Sequence, residues 1–227
     1  MEDLKYLFQE FRDSEFDKKH KEKRMSISSE EDIRYVVMKK AYKDMMIRTI
    51  KKENANAAID IQKRDEVLKW LSHEFLKFFK DEGNIYDENF SKWHEKICEE
   101  FLNKFNRDVL KDNYKPIQFG KAQKIVNMTF KYLRCFDDAD DYSAFFVHCQ
   151  MPMDSFMIEE WYNKNNVGNG EKISCAWSNF RKDCYYDVQS QIKVYCEKSH
   201  QTPLEVDFIE WKKIKEKKKK EKASKCC

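Results

Sequence analysis

The chain has 227 residues, 41% of them hydrophobic and 37% charged, and is long enough to form one large domain or two small ones. It contains only four glycines and three prolines, so it lacks the turn residues that a sheet-rich fold needs. The composition therefore predicts an all-α protein. The net charge of +3 excludes a globally cationic surface, and any contact with nucleic acid has to come from a local basic patch.

Apolar periodicity predicts the helices of the first half of the chain. Ser28 and Glu31 form a capping-box pattern ahead of one helix, and further helices are expected at residues 65–80 and 89–110. The aromatic residues at helical spacing in these segments are typical of a hydrophobic core, so no function is assigned to them. We group these helices in an N-terminal helical region, residues 1–112.

Proline and glycine become more frequent after residue 112, and the predicted helices become shorter. These helices are expected at residues 121–136, 154–163 and 183–198, and after Pro203. Together they define a second lobe at residues 113–213, which is followed by a lysine-rich tail at residues 214–227.

The sequence shows no run of about 18 apolar residues and no N-terminal signal peptide. Its eight cysteines include no CxxC pair, which favours reduced thiols and a cytoplasmic location. We expect a monomer with no membrane partner, no cofactor and no metal. A zinc site built on His148 and Cys149 is the alternative for the cysteines.

Gln123 and Lys124 lie near the start of an apolar helix, and Gly120 is expected to permit a tight turn before it. A lysine in the first turn of a helix meets the positive end of the helix dipole, which lowers its pKa, and burial lowers that pKa further. A neutral lysine amine is the nucleophile that forms Schiff bases. The alternative interpretation is that Lys121 and Lys124 are exposed surface lysines.

Two acidic residues follow prolines at later helix starts. Asp154 comes shortly after Pro152 and is placed to cap a helix, and a cap carboxylate facing a cavity could also stabilise positive charge on a sugar. Asp207 and Trp211 follow Pro203 and lie four residues apart, on one helix face. A tryptophan there is most often a core residue, but it can also stack on a nucleic-acid base.

Three segments follow one another in the chain: one with Gln123 and Lys124, one with Pro152 and Asp154, and one from Pro203 to Trp211. In this order they resemble the helix-hairpin-helix DNA glycosylase and abasic-site lyase superfamily, most closely its archaeal 8-oxoguanine glycosylase branch. The resemblance covers residues 115–213, and the chain also resembles uncharacterised bacterial proteins. The residues that match the family's motifs are Gln123, Lys124 and Lys131, then Pro152 and Asp154, then Pro203, Leu204, Asp207 and Trp211.

The resemblance implies a two-lobed helical domain that takes a damaged base out of the DNA stack and needs no cofactor or metal. Lys124 would be the Schiff-base nucleophile, with Lys121 as the alternative register, and Asp154 would be the catalytic carboxylate. The implied substrate-binding residues are Gln123, Asp207 and Trp211. The alternative function is that of a non-catalytic α-helical module that binds nucleic acid or a protein.

Nine lysines lie between Lys212 and Lys225. The first interpretation is a solvated, frayed helix end or a disordered tail. The second is an arm that grips DNA phosphates and makes DNA binding salt-dependent. A doubly lipidated terminus at Cys226 and Cys227 is a weaker third interpretation.

Overall fold

A computed structural model describes residues 4–46, 58–168 and 170–224, so Cys226 and Cys227 lie outside the described residues. Within these ranges the regular structure is helical, and the strand-like pairing is limited to an isolated bridge between Ile59 and Leu110. The predicted all-α class is confirmed. No helix in the described ranges has the length and apolar character needed to cross a membrane.

Ten α-helices are described in chain order: α1 (Leu4–Glu15), α2 (Lys18–Glu22), α3 (Glu30–Asp32), α4 (Lys39–Met46), α5 (Ile61–Lys80), α6 (Asp87–Lys104), α7 (Phe119–Leu133), α8 (Ser143–Phe146), α9 (Lys182–Glu197) and α10 (Pro203–Ser224). Three segments are π-helical, namely Ile33–Met38, Phe105–Val109 and Met157–Tyr162. Three short 3₁₀ helices are Glu82–Ile85, Ala139–Tyr142 and Trp177–Asn179.

The capping box predicted for Ser28 and Glu31 is wrong. The capping residue is the next serine along the chain, and it forms a simple N-cap instead of a reciprocal capping box. The cap of α3 is Ser29, whose hydroxyl accepts the backbone N–H of Asp32 at 3.2 Å. A reciprocal capping box lies instead at the start of α10. There the Glu205 carboxylate accepts the N–H of Thr202 at 2.8 Å, and the Thr202 hydroxyl accepts the N–H of Glu205 at 3.2 Å.

Helix α7 is the centre of the molecule, because all fifteen of its residues are buried. It packs against α4, α6 and α9, and against the 3₁₀ helix Trp177–Asn179. The N-terminal helix α1 packs on the C-terminal helix α10. One continuous hydrophobic cluster extends from Phe8 to Phe208, so the core crosses the boundary predicted at residue 112.

Candidate active site

A cleft of about 1100 Å³ lies along α7. Its walls come from α1, α4 and α10, from the chain around Asp154 and from residues 173–179. The cleft is lined by apolar and aromatic side chains together with a set of buried or half-buried charges. The charged residues discussed below are Asp44, Lys121, Lys124, Lys131, Asp154 and Asp207.

Lys124 and Asp154 meet in this cleft, with 2.9 Å between the lysine Nζ and the carboxylate Oδ2. The second carboxylate oxygen accepts the backbone N–H groups of Phe156 and Met157 at 2.9 and 3.0 Å. Asp154 is therefore both a helix cap, as predicted, and an ion-pair partner. Burial by itself would raise the pKa of Asp154, but the Lys124 charge and these hydrogen bonds hold that pKa below its usual value.

Lys121 in the first turn of α7 and Lys124 in the second are both buried, so the surface interpretation of these lysines is wrong. Only 4% of Lys121 and 5% of Lys124 is exposed. The Lys121 ammonium donates to the Met45 carbonyl at 2.5 Å and lies 4.4 Å from the centre of the Trp177 ring. Burial, with a further contribution from the Lys124 charge, lowers the pKa of Lys121 to about 8.

Gly120 has a different role from the predicted tight turn. It is the second residue of α7, and its N–H donates to the Phe180 carbonyl at 3.1 Å. A Cβ atom at this position would lie 1.8 Å from the Trp177 carbonyl oxygen. The glycine therefore allows the 3₁₀ segment Trp177–Asn179, which forms one wall of the cleft, to approach the helix closely.

Gln123 lies behind the cleft wall and does not line the cleft. It is fully buried, and its side-chain amide donates to the carbonyls of Gly120 and Met153 at 2.9 and 3.1 Å. The amide of Asn127 in turn donates to Gln123 Oε1 at 3.0 Å. Because Met153 immediately precedes Asp154, Gln123 fixes the backbone that carries the carboxylate.

A buried polar network extends from Gln123 to His94, which sequence analysis did not identify. His94 Nε2 lies 2.9 Å from Asn127 Oδ1, and Nδ1 lies 2.9 Å from the Tyr186 hydroxyl. Burial lowers the pKa of His94 to about 4, so the imidazole is neutral at physiological pH. The one sequence signal was the presence of His94 and Asn127 on otherwise apolar helix faces.

Lys131 and Asp207 form a second buried ion pair, with 2.5 Å between Nζ and Oδ2. The ammonium is surrounded by aromatic rings, with centroids 4.6 Å away for Phe11, 5.0 Å for Phe208 and 5.6 Å for Trp211. Burial raises the pKa of Asp207, and the Lys131 charge opposes that shift. Asp207 and Trp211 both line the cleft, as their shared helix face predicts.

A further carboxyl group in the cleft, Asp44, has no counterpart among the predicted site residues. It lies on α4, and the Tyr132 hydroxyl donates to its Oδ2 at 2.5 Å. Burial raises the pKa of Asp44 above its usual value. Nothing in the sequence joins Asp44 to Lys124, because the contact between α4 and α7 arises only on folding.

Two lysines of the predicted tail form part of the cleft wall. Helix α10 continues to Ser224, so the described part of the tail is helical. Lys215 lies 4.2 Å from the centre of the Trp211 ring, and Lys218 lies 3.2 Å from the centre of the Phe156 ring. Both lysines line the cleft and continue the face of α10 that carries Trp211.

The residues considered for zinc have other partners. The two nitrogens of His148 contact the Ile85 carbonyl at 2.7 Å and the Asp87 carboxylate at 3.3 Å. Cys149 is buried, and its thiol lies 3.6 Å from the Phe145 carbonyl. Among the residues that the structure describes, no group of three or more His, Cys, Asp or Glu side chains is placed to hold a metal ion.

Comparison with protein-family models, with curated proteins and with solved structures found no match for this chain. Any proposal about function therefore has to start from the chemistry of the cleft. Three buried lysines of α7, Lys121, Lys124 and Lys131, line the cleft, and Asp154 and Asp207 pair with two of them from other segments. Asp44 adds a further carboxyl group. The protein is thus a helical protein with a concave site that is lined by several lysine side chains.

Proposed function

We propose that this protein is a DNA base-excision glycosylase and abasic-site lyase that acts on a flipped, damaged base through a lysine Schiff base. The observation that carries the proposal is the 2.9 Å contact between Lys124 Nζ and Asp154 Oδ2 in the cleft. An amine nucleophile has to lose a proton before it attacks, and the Asp154 carboxylate is an adjacent base within hydrogen-bonding distance of Lys124. The proposal includes DNA repair in the cytoplasm, by a monomer whose partner is DNA.

The reaction begins when the nucleotide leaves the base stack and enters the cleft. The bond from C1′ to the base breaks, and its electron pair leaves with the base. While that bond breaks, the Asp154 carboxylate stabilises the positive charge that develops on the sugar. Asp154 then takes a proton from the Lys124 ammonium, and the neutral amine attacks C1′.

Opening of the sugar ring then converts the Lys124–C1′ bond into a Schiff base. Loss of a proton from C2′ expels the 3′ phosphate and cleaves the strand. With an abasic site no base has to leave, and the aldehyde condenses directly with the amine, releasing water. Neither route requires a metal or a cofactor.

The dimensions and lining of the cleft support this substrate class. A volume of about 1100 Å³ accommodates a nucleotide with part of its backbone. Trp177 and Trp211 provide aromatic faces for a base. Lys215 and Lys218, at the edge of α10, are placed to contact phosphates on the flanking DNA.

Lys121 is the alternative nucleophile, and its environment differs from that of Lys124. With a pKa of about 8, roughly a quarter of Lys121 is neutral at pH 7.5. Lys124 has the Asp154 carboxylate within hydrogen-bonding distance to accept its proton. We assign the nucleophile to Lys124 because a paired base regenerates the neutral amine in each reaction cycle.

Borohydride trapping tests the proposal on duplex DNA that contains an abasic site or 8-oxoguanine. We expect the wild type to form a covalent adduct after reduction, and Lys124→Gln to lose it. Lys121→Gln should retain the adduct, because the nucleophile is assigned to Lys124. The matched control is Lys96→Gln, whose side chain is 74% exposed and lies outside the cleft.

Two outcomes would contradict this assignment. Loss of the adduct with Lys121→Gln alone would move the nucleophile to Lys121. Absence of any adduct with the wild type, together with measurable binding to the same duplex, would instead support the non-catalytic nucleic-acid-binding module.

A further inference from the structure

The cleft contains two carboxyl groups in opposite environments, Asp154 and Asp44. Asp154 is held by an ammonium and two backbone N–H groups, all of which stabilise its ionised form. Asp44 accepts a hydrogen bond from the neutral hydroxyl of Tyr132, which favours the ionised form of Asp44 but brings no opposite charge to it. The first site therefore favours a carboxylate much more strongly than the second.

The other charged groups near Asp44 come from three helices. Lys40 on α4 and Lys124 on α7 favour ionisation of Asp44, whereas Glu15 on α1 opposes it. Lys40 is itself committed to Glu15, with 2.9 Å between Nζ and Oε2. Burial outweighs all of these charges and raises the pKa of Asp44, while the pKa of Asp154 is lowered. Acid and base roles separate in this way when two titratable groups share one site.

We propose that Asp44 is a catalytic residue, the general acid that protonates the departing base. This inference rests on the proposed function, because it requires a base that leaves from C1′. The carboxyl group lines the same cleft as Lys124, and the Tyr132 hydroxyl fixes its orientation by binding one oxygen. The other oxygen is the position from which the proton is donated.

The step is balanced in atoms and electrons. The bond from C1′ to the base nitrogen breaks, its electron pair goes to the base, and the Asp44 proton neutralises the base. Lys124 Nζ forms the new bond to C1′, and Asp154 holds the proton that the lysine gives up. Asp44 ends the step as a carboxylate and regains its proton from water before the next cycle.

The test compares release of an intact base with reaction at a preformed abasic site. The probes are duplexes that contain 8-oxoguanine, uracil or hypoxanthine, and one duplex with an abasic site. In Asp44→Asn the amide oxygen still accepts the Tyr132 hydroxyl, but the side chain has no transferable proton. We expect base release to fall by about 100-fold or more, and trapping at the abasic site to remain within about threefold of wild type.

The dependence of base release on pH provides a second readout. In the wild type the rate should fall as the pH rises through the pKa of Asp44, because Asp44 then loses the proton that it donates. Asp44→Asn should lack this fall, which a merely structural role of Asp44 would leave in place. Trapping at the abasic site also serves as the folding control, because it requires the intact Lys124 site.

The remaining outcomes would overturn either the role of Asp44 or the proposed function. Base release by Asp44→Asn within threefold of wild type, or equal losses in release and trapping, would refute the role of Asp44. A wild type that traps at abasic sites but releases none of the three bases would also refute it, and would leave the lyase in place. A wild type that does neither would overturn the proposed function itself.

Discussion

Lys121 and Lys124 lie one helical turn apart on α7, and their environments give them different properties. Lys124 is compensated by Asp154, whereas Lys121 is held by a carbonyl and an aromatic face. Burial is the largest influence on the pKa of Lys121, and the neighbouring Lys124 charge lowers that pKa further. The charged form of Lys121 therefore costs the folded state free energy.

This cost predicts a specific dependence of stability on pH. Below about pH 8 Lys121 is protonated in the folded and unfolded states, and the penalty is fully present. Between pH 8 and the unfolded value of 10.5 the folded protein loses this proton first, so wild-type stability should rise relative to Lys121→Met. Urea unfolding at pH 7 and pH 10 measures the difference. Lys96→Met is the exposed control. The prediction would be contradicted if the difference in unfolding free energy between wild type and Lys121→Met were the same at pH 7 and pH 10, as expected for Lys96→Met.

Helix α7 explains how much of the fold could be predicted from sequence. Periodicity predicted α5, α6, α7 and α9 to within a few residues, because each has an apolar stripe of sufficient length. It could not predict that α7 is buried on every side, because Lys121, Lys124 and Lys131 look like solvent-facing residues until their partners are known. Those partners lie on other segments, and only tertiary packing brings them together.

The candidate site could also be predicted only in part. The positions of Lys124, Asp154, Asp207 and Trp211 after turns drew attention to them, and all four line one cleft. Gln123 was expected to contact substrate, but its amide lies in the core beside Met153. The π-helical turns were also missed, since their apolar residues follow nearly the same spacing as those of an α-helix.

Gly120 tests the packing of α7 against the cleft wall. An alanine Cβ would lie 1.8 Å from the Trp177 carbonyl oxygen, and backbone cannot be moved by a simple rotamer change. We expect Gly120→Ala to destabilise the protein by about 1–3 kcal/mol, as overpacking does, in urea denaturation monitored by tryptophan fluorescence. Gly83→Ala is the matched control, because its new Cβ would meet only side-chain atoms. Equal stability of the two variants would argue against the close approach.

At the scale of the whole molecule, positive and negative charges nearly balance, so any strongly basic surface has to be local. The chain carries 44 basic and 41 acidic residues, so its net field is weak. On α10, Lys213 and Lys217 pair with Glu210 and Glu160. Lys215 and Lys218 instead lie on aromatic rings beside the cleft.

If the protein binds DNA as proposed, this arrangement predicts which lysines make that binding sensitive to salt. The double variant Lys215→Gln with Lys218→Gln should weaken duplex binding. It should also reduce the slope of log affinity against log salt by roughly 0.9 for each phosphate that these lysines neutralise. Fluorescence anisotropy at several salt concentrations measures both effects. Lys213→Gln with Lys217→Gln is the control, and equal slopes for the two double variants would contradict the prediction.

The contact of α1 with α10 has a consequence for how the protein is made. Lys131 is buried in the middle of the chain, but its counter-ion Asp207 and the surrounding rings of Phe208 and Trp211 belong to the last helix. During translation the ribosome releases the first six helices long before α10 exists. The buried Lys131–Asp207 pair can therefore form only after α10 has been synthesised and has packed against the earlier helices.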